Sequence, residues 1–285
     1  MYNVYFKISG FSDEISPDFS EQIKGLQEMG ISYMEIRGVD GENIAKISMD
    51  KVREIKARLD EAGIRISSVG SPAGKTPITD DFAFEQKQFD ELLQKAKILE
   101  APYMRIFSFY TNEPEAYRDE VRRRFLWFAD RAEGSGIRLL HENEKGIFGD
   151  IPERCAWLLK EADGKVGAVF DAANFIQCGA KPWPDAHSIM APYIEYYHVK
   201  DANTYGIIQA PGEGIADYPS IVSYMLKNQY NGFVSMEPHL SHFVGLSDLE
   251  SEGNKEVKKI TDGKEAFNYA YRSLKKIIEE EINHG

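Results

Sequence analysis

The sequence has few of the features that mark membrane, secreted or disulfide-stabilised proteins. Among 285 residues there are only two cysteines, Cys155 and Cys178. They lack metal-type spacing, so we expect free thiols in a reducing compartment. No apolar run approaches the ~20 residues that a membrane span needs, and the N-terminal residues lack the long apolar stretch of a signal peptide. These absences predict a cytoplasmic protein that does not bind membranes.

Basic charge is also scarce. Lysine and arginine total 34 against 46 aspartate and glutamate residues, which gives a formal net charge of −12. A protein that grips a nucleic-acid backbone usually carries a basic stripe, and none is visible. The balance argues against nucleic acid as the primary partner, although a local basic cleft is compatible with it.

A repeated unit indicates the fold class. An amphipathic helix is followed by Gly-Ile and then by a strand at Gly30-Ile31, Gly63-Ile64 and Gly136-Ile137. Glycine supplies the left-handed residue that ends a helix, and a β-branched residue opens a strand. This alternation is typical of a parallel α/β sheet.

Eight strands are predicted, at about 3–9, 31–37, 64–69, 102–107, 136–142, 165–171, 193–199 and 232–237. With no linker to split the chain, these units predict a single-domain (β/α)8 TIM barrel over residues 1–285. A doubly wound open sheet is the alternative, but the glycine-rich fingerprint of a dinucleotide fold is missing after the first strand. A last helix is predicted at 262–283, after a polar loop at 239–262 that could form part of a lid.

Four predicted strands end in a residue that can bind metal: Glu142, Asp171, His198 and Glu237. The C-terminal ends of barrel strands meet at one rim, where the chemistry of such barrels lies. Taken singly, each residue could be a rim ion pair, a helix N-cap or a core histidine. Together they predict a metal site that suits Mn²⁺, Mg²⁺ or Co²⁺ better than a structural zinc. Two vicinal substrate oxygens could complete an octahedral ion, which would stabilise an enediolate.

The motifs around these residues resemble the xylose isomerase-like barrel superfamily, which includes sugar phosphate isomerases and epimerases and the endonuclease IV type. The resemblance covers essentially the whole chain, with sharp motifs only in the second half. Those motifs are His141-Glu142-Asn143, Phe170-Asp171-Ala172-Ala173-Asn174, His198-Val199-Lys200-Asp201, Gly212-Glu213-Gly214 and Met236-Glu237.

The resemblance implies a divalent-metal-dependent isomerase or epimerase. Its substrate would be a small ketose, a polyol-derived keto-sugar or a similar carbohydrate. As in ketose 3-epimerases of this family, Glu142 and Glu237 would be both metal ligands and the acid/base pair, acting through a metal-bound enediolate. Mn²⁺ is the expected ion, with Mg²⁺, Co²⁺ or Zn²⁺ compatible. Barrels of this type often form homodimers, so a homodimer is compatible as well.

Two positions depart from the epimerase pattern. Asn174 stands where the family often has histidine, and the loop after His198 has no arginine, so that Lys200 is the nearest cation in sequence. Aldose–ketose isomerisation therefore stays open, as does a lyase reaction, the dehydration of a keto-inositol or dehydroshikimate. A non-catalytic sugar-binding barrel and an endonuclease IV-like hydrolase are less favoured. The latter uses more histidines than the six present here.

Five residues are candidate substrate contacts: Asn174, Lys200, Arg105, Glu35 and Phe107. An inward-facing Arg105 should pair with a carboxylate such as Glu35 or Glu142, and a purely structural ion pair is as compatible as a substrate contact. Phe107 could wall a sugar pocket or pack in the core. Asp13, Glu14 and Arg37, near the ends of the first two predicted strands, are further polar candidates.

Overall fold

Eight parallel strands form the centre of the protein. The computed structural model describes residues 3–244 and 260–284. The strands are β1 (Lys7–Gly10), β2 (Tyr33–Ile36), β3 (Arg65–Val69), β4 (Tyr103–Ile106), β5 (Arg138–Glu142), β6 (Val166–Asp171), β7 (Ile194–Val199) and β8 (Phe233–Met236). Their order is β1-β8-β7-β6-β5-β4-β3-β2, and every pairing is parallel. A parallel bridge from Phe11 to Glu35 joins the ends of β1 and β2, so the sheet is a nearly closed barrel. The predicted TIM barrel is confirmed.

Helices surround the sheet and connect successive strands. They are α1 (Phe19–Met29), α2 (Met49–Ala62), α3 (Phe82–Ile98), α4 (Pro114–Ala132), α5 (Pro152–Glu161), α6 (Ala172–Gln177), α7 (His187–Met190), α8 (Tyr218–Lys227) and α9 (Gly263–His284). Gly30 and Gly63 end α1 and α2 with φ of 71° and 69°, the left-handed conformation predicted from the Gly-Ile repeats. No helix within the described ranges is long and apolar enough to cross a membrane.

The observed strands agree with the predicted ones to within two residues, except at the first. Strand β1 begins at Lys7 rather than near residue 3, because its ladder starts with the Lys7 amide bonded to the Gly232 carbonyl at 3.0 Å. Residues 3–5 are exposed. The polar loop predicted at 239–262 is described only at 239–244 and 260–262; residues 245–259 lie outside the described residues.

The barrel interior changes character along its axis. Near the N-terminal ends of the strands, Leu140, Val169, Tyr196 and Phe233 form a buried cluster, against which Tyr33 and Tyr103 pack. One level higher, Ser67 bonds both Ser9, at 2.6 Å, and the Tyr196 hydroxyl, at 2.9 Å. This apolar cluster fills the N-terminal end of the barrel. The inward-facing polar side chains lie at the other end, the C-terminal rim.

Candidate metal centre

The four predicted metal ligands meet at the C-terminal rim. Glu142 ends β5, Asp171 ends β6, His198 lies in β7 and Glu237 follows β8. One potential ligand atom from each residue lies within 4.8 Å of the others. All four side chains are buried, Glu237 being the most exposed at 3%. Four neighbouring parallel strands thus deliver three carboxylates and one imidazole to a single enclosed point.

A carboxylate behind His198 fixes the orientation of its ring. Nε2 of His198 lies 3.1 Å from Oε2 of Glu35, while Nδ1 lies 2.8 Å from Oε1 of Glu142 and 3.2 Å from Oε2 of Glu237. The Nδ1 side therefore points into the ligand cluster. A carboxylate on the second ring nitrogen is the usual support of a metal-binding histidine. Glu35, a candidate substrate contact, lies behind this ligand.

Asp171 both caps a helix and faces the cluster. Its Oδ1 accepts the amide of Asn174 at 2.9 Å, which caps α6. Its Oδ2 makes no hydrogen bond to any described residue and has the ammonium of Lys200 at 3.0 Å as an ion-pair partner. The N-cap and metal-ligand interpretations of this aspartate are therefore compatible, because each uses a different oxygen.

Asparagines hold the β5 and β6 ends together. The Asn143 side chain donates to the Asp171 carbonyl at 2.9 Å and accepts the Asp171 amide at 3.0 Å. Asn174 donates to the Asn143 carbonyl at 2.9 Å and lies 3.4 Å from Oε1 of Glu142. Asn174, another candidate substrate contact, thus touches a predicted metal ligand.

Two cations contact the ligand carboxylates from within the barrel. Nη1 of Arg105 lies 2.9 Å from Oε2 of Glu142, the pairing expected of an inward-facing arginine. The remaining Arg105 nitrogens bond the Gly70 and Ser71 carbonyls at 3.1 and 3.3 Å. Nζ of Lys200 lies 3.0 Å from Oδ2 of Asp171 and 3.1 Å from Oε2 of Glu237. Lys200 directly follows β7, and its side chain reaches the same cluster as His198, which lies two residues earlier.

A third cation, Arg37, links the first half of the rim to Glu237. Its guanidinium binds both oxygens of Asp13, at 2.8 and 3.0 Å, and Oε1 of Glu237 at 2.9 Å. The guanidinium carbon lies 4.3 Å from the ring centre of Phe11 and 4.7 Å from that of Phe243. The sequence placed Arg37 at the end of the second strand, but nothing in the pattern connected it with a glutamate 200 positions away.

His239 and Glu14 lie next to Glu237, on the same side of the cluster as Arg37. The sequence predicted no role for His239. The His239 amide donates to Oε2 of Glu14 at 2.7 Å, and its Nε2 lies 3.3 Å from Oε1 of Glu237. Burial raises the pKa of Glu14 to about 8 despite Arg37 nearby. Burial lowers the pKa of His239 to about 3, so this imidazole is neutral. In the sequence, the only indication of a role for His239 was its position two residues after Glu237, the last predicted ligand.

The charges of the cluster set its protonation. Burial alone would raise the pKa of Glu142, but His198 and Arg105 outweigh it and lower this pKa to about 2. Burial likewise opposes ionisation of Glu237, yet the charged Lys200 and His198 hold its pKa well below the usual range. For Asp171 burial prevails over Lys200 and raises the pKa to about 7. Burial disfavours a charged His198, but Glu142, Glu35 and Glu237 hold its pKa well above normal.

The donor set fits a divalent ion. Three carboxylates and an imidazole nitrogen are ligands that Mn²⁺, Mg²⁺, Co²⁺ and catalytic Zn²⁺ accept. Oδ2 of Asp171, which makes no hydrogen bond to a described residue, and Nδ1 of His198 both face the cluster. Glu142, Asp171, His198 and Glu237 are therefore the residues that could hold the ion.

A cavity of about 460 Å³ adjoins the cluster on the side of the first four strands. Its lining includes Asp13, Arg37, Asn43, Lys75, Tyr110 and Phe243. Phe107, the aromatic candidate for substrate contact, is fully buried, with Arg105 and Lys75 placed 4.8 and 4.6 Å from its ring centre. The structure thus places Phe107 beneath these two cations, while Tyr110 faces the cavity.

Asp201 anchors the loop that carries the Gly-Glu-Gly motif. Its carboxylate accepts the amides of Ala202, Gly212, Gly214 and Ala216 at 2.8 to 3.1 Å. A Cβ on Gly214 would lie 2.2 Å from Oδ1 of Asp201, so only glycine fits. The distinctive spacing of these two motifs therefore reflects one hydrogen-bonded turn beside the cluster.

Comparisons with known proteins agree with this architecture. The family model described as "Xylose isomerase-like TIM barrel" matches residues 23–279. No curated protein matches the chain by sequence.

Solved structures resemble the chain at low identity. The IOLI protein, solved with a bound zinc atom, has a TM-score of 0.72 at 17% identity, over 96% of this chain and 99% of its own. D-allulose 3-epimerase from Methylomonas sp., in complex with D-allulose, has a TM-score of 0.72 at 18% identity, over 96% and 98%. The probable 3-DHS dehydratase AsbF from Bacillus anthracis has a TM-score of 0.67 at 17% identity, over 81% and 92%. At such identities the likeness shows the fold alone.

Proposed function

The chain belongs to the family of xylose isomerase-like TIM barrels, and we propose that it is a divalent-metal-dependent sugar isomerase or epimerase. Its substrate is a small ketose, a polyol-derived keto-sugar or a similar carbohydrate. The observation that carries the proposal is the convergence of Glu142, Asp171, His198 and Glu237 on one buried point. The epimerase among the structural neighbours is consistent with it.

The four residues of the cluster would hold the ion, His198 through Nδ1, while Glu35 keeps its contact with Nε2. Bound there, the ion would supply Lewis acidity to a substrate carbonyl, which acidifies the neighbouring carbon. Mn²⁺ is the proposed ion, and a neighbour with bound zinc supports a divalent metal in general.

Glu142 and Glu237 move the proton. Their low pKa values keep both carboxylates ionised, so either can accept the proton from the carbon next to the carbonyl. The carboxylate that takes the proton returns it for isomerisation, or the opposite carboxylate returns it from the other face for epimerisation.

A metal-dependent dehydratase of the keto-inositol or dehydroshikimate type is the second candidate, and the position of Lys200 favours it. An ammonium 3.1 Å from Oε2 of Glu237 could protonate a leaving hydroxyl after Glu237 removes the proton from the neighbouring carbon. The products are then water and an unsaturated carbonyl compound. Product mass separates the two candidates, because dehydration loses water and isomerisation conserves mass.

Hydrogen exchange in D₂O tests both candidates. Metal-stripped protein, with and without added Mn²⁺, is incubated with a panel of ketoses, aldoses, inososes and dehydroshikimate. Proton NMR follows the signal of the hydrogen on the carbon next to the carbonyl. We expect metal-dependent loss of that signal for at least one compound, abolished by Glu237→Gln and retained by Glu115→Gln, whose side chain is 77% exposed. Mn²⁺-bound protein that exchanges no compound of the panel would contradict the proposal for these substrate classes.

A further inference from the structure

Lys200 differs from the other cations of the cluster in what it contacts. Its Nζ lies 3.0 Å from Oδ2 of Asp171 and 3.1 Å from Oε2 of Glu237, and the residue is 4% exposed. Both partners belong to the proposed ligand set. The ammonium therefore uses the same carboxylate oxygens that a divalent ion would need.

The two arginines are anchored differently. Arg105 bonds the Gly70 and Ser71 carbonyls as well as Glu142. Arg37 bonds both oxygens of Asp13 as well as Glu237. Each arginine can therefore keep most of its contacts when an ion binds. Within the described residues, the ion pairs of Lys200 are made with the two ligand carboxylates alone.

We propose that Lys200 is a resident counter-cation, which holds the ligand carboxylates together in the metal-free protein and competes with the divalent ion for them. This inference rests on the proposed metal-dependent function. When the ion enters, the ammonium gives up at least one of the two carboxylates. The competition weakens the affinity for the metal, while the ammonium keeps the ligand carboxylates in place before the metal binds.

The need for such a cation follows from the density of buried acid. Carboxylates around the cluster are Asp13, Glu14, Glu35, Glu142, Asp171 and Glu237, all buried. Uncompensated buried charge is strongly destabilising, and carboxylates that share a site repel one another. Without Lys200, Asp171 and Glu237 would face each other with no ammonium between them.

A lysine side chain is also suited to moving away from the carboxylates when an ion binds. Its ammonium is a compact charge on a flexible stem, whereas a guanidinium is held as a rigid fork. The main chain at this point is fixed separately, because the Tyr218 hydroxyl accepts the Lys200 amide at 2.9 Å. The side chain can therefore move while the strand that carries His198 stays in place.

Replacement of Lys200 by methionine tests the inference through two effects of opposite sign. The metal-free Lys200→Met protein should melt at a lower temperature than metal-free wild type, because two carboxylates lose their counter-charge. Its dissociation constant for Mn²⁺ should fall by roughly tenfold or more, since a positive charge next to the ion is removed. A residue with a merely structural role would weaken both stability and metal binding.

The measurements are calorimetric titration of metal-stripped protein with Mn²⁺, and melting temperatures with and without Mn²⁺. Lys200→Gln serves if the methionine variant does not fold, and Lys200→Arg, which keeps the charge, should bind Mn²⁺ no more tightly than wild type. Lys75→Met is the matched control. Lys75 is also a rim lysine, but it pairs with Glu144 at 2.9 Å, outside the ligand set. Its removal should change the dissociation constant by no more than about threefold, because charges that do not touch the ion are more strongly screened.

The outcomes separate the inference from the function beneath it. Wild-type protein that binds Mn²⁺, together with Lys200 variants that bind it equally or more weakly, would overturn the competition and leave the proposed function standing. Wild-type protein that binds none of Mn²⁺, Mg²⁺, Co²⁺ and Zn²⁺ would overturn the proposed function itself. Tighter Mn²⁺ binding in both the Lys200→Met and Lys75→Met proteins would show that the loss of any positive charge at the rim strengthens binding. That result would also overturn the inference.

Discussion

The two halves of the C-terminal rim carry similar residues but use them differently. After β1, Asp13 and Glu14 direct their oxygens at the guanidinium of Arg37, and within β2, Glu35 directs an oxygen at His198. At the ends of β5 and β6, Glu142 and Asp171 direct oxygens at a common point. The first half is thus a network of mutual support, whereas the second half presents ligand atoms. A count of acidic residues along the rim would not distinguish them.

Glu237 joins the two halves through its two oxygens. Oε1 faces Arg37 and His239 at 2.9 and 3.3 Å, and Oε2 faces Lys200 and His198 at 3.1 and 3.2 Å. The first-half network therefore holds the carboxylate in place, and the second half uses it. Substitutions in the second half should abolish chemistry, and substitutions in the first half should weaken stability or metal binding.

The largest effect is expected for Glu142→Gln in the second half. Loss of a charged carboxylate that is both proposed ligand and proposed base should slow metal-dependent exchange in D₂O by about 10²- to 10⁴-fold. Glutamine keeps the shape of the side chain, but the buried Arg105 loses its charged partner, so the melting temperature should fall as well. Exchange at the wild-type rate would exclude Glu142 from proton transfer.

Arg37→Met should break the first half. The substitution leaves Asp13, Glu14 and Glu237 without their shared cation, and breaking a buried ion pair by removing one partner costs about 3–5 kcal/mol. Denaturant unfolding measures this loss. Arg53→Met is the control, because the Arg53 side chain is 61% exposed and its pair with Asp50 should contribute less than about 1 kcal/mol. Similar losses for the two variants would show that the Arg37 network does not support the rim.

Glu35→Gln should have an intermediate effect, on metal rather than on proton transfer. Glu35 contacts His198 on the nitrogen that faces away from the cluster. Substitution of such a supporting carboxylate typically weakens metal affinity by about 10- to 100-fold. Titration with Mn²⁺ measures the change, and saturating Mn²⁺ should restore most of the exchange rate. A defect that persists at saturating metal would place Glu35 in contact with the substrate, as first considered from the sequence.

The smallest effect concerns a histidine away from the rim. Burial lowers the pKa of His187 from 6.5 to about 4, and the ring bonds the Tyr197 hydroxyl at 2.9 Å. Between these pH values the unfolded chain binds a proton that the folded protein refuses, so stability falls as the pH drops. Between pH 7 and pH 5, wild type should lose about 1–2 kcal/mol more than His187→Gln. Equal losses in urea unfolding at the two pH values would contradict this assignment.

The sequence predicted the barrel and the ligand cluster from the same signal. Asp171 and Glu237 come directly after an apolar run, Glu142 comes one residue after such a run, and parallel strands bring these ends together. The ion pairs were harder to predict, because Arg37 and Glu237 meet only once the barrel nearly closes between β1 and β2. No local pattern records which carboxylate a long side chain reaches.

The sequence also did not predict the direction of side chains beyond the strand ends. Phe107 follows β4 and could have faced a pocket, but its amide bonds the Ala73 carbonyl at 2.7 Å and its ring is fully buried. The β1 start was overestimated because residues 3–5 have strand-like composition without a neighbouring strand to pair with. Both positions lie outside the regular ladder, where alternation no longer applies.

The turn anchored by Asp201 has a consequence for protein engineering. All four of its hydrogen bonds reach amides at 202 and 212–216, and the intervening Tyr205 is 85% exposed. Gly206 is buried and its carbonyl accepts the Gln177 side-chain amide at 3.0 Å, so the exchangeable tip is limited to the exposed pair Thr204 and Tyr205. Sequences of other lengths, or a peptide tag, could be grafted there while both attachment points keep their geometry and the strand that carries His198 is left untouched.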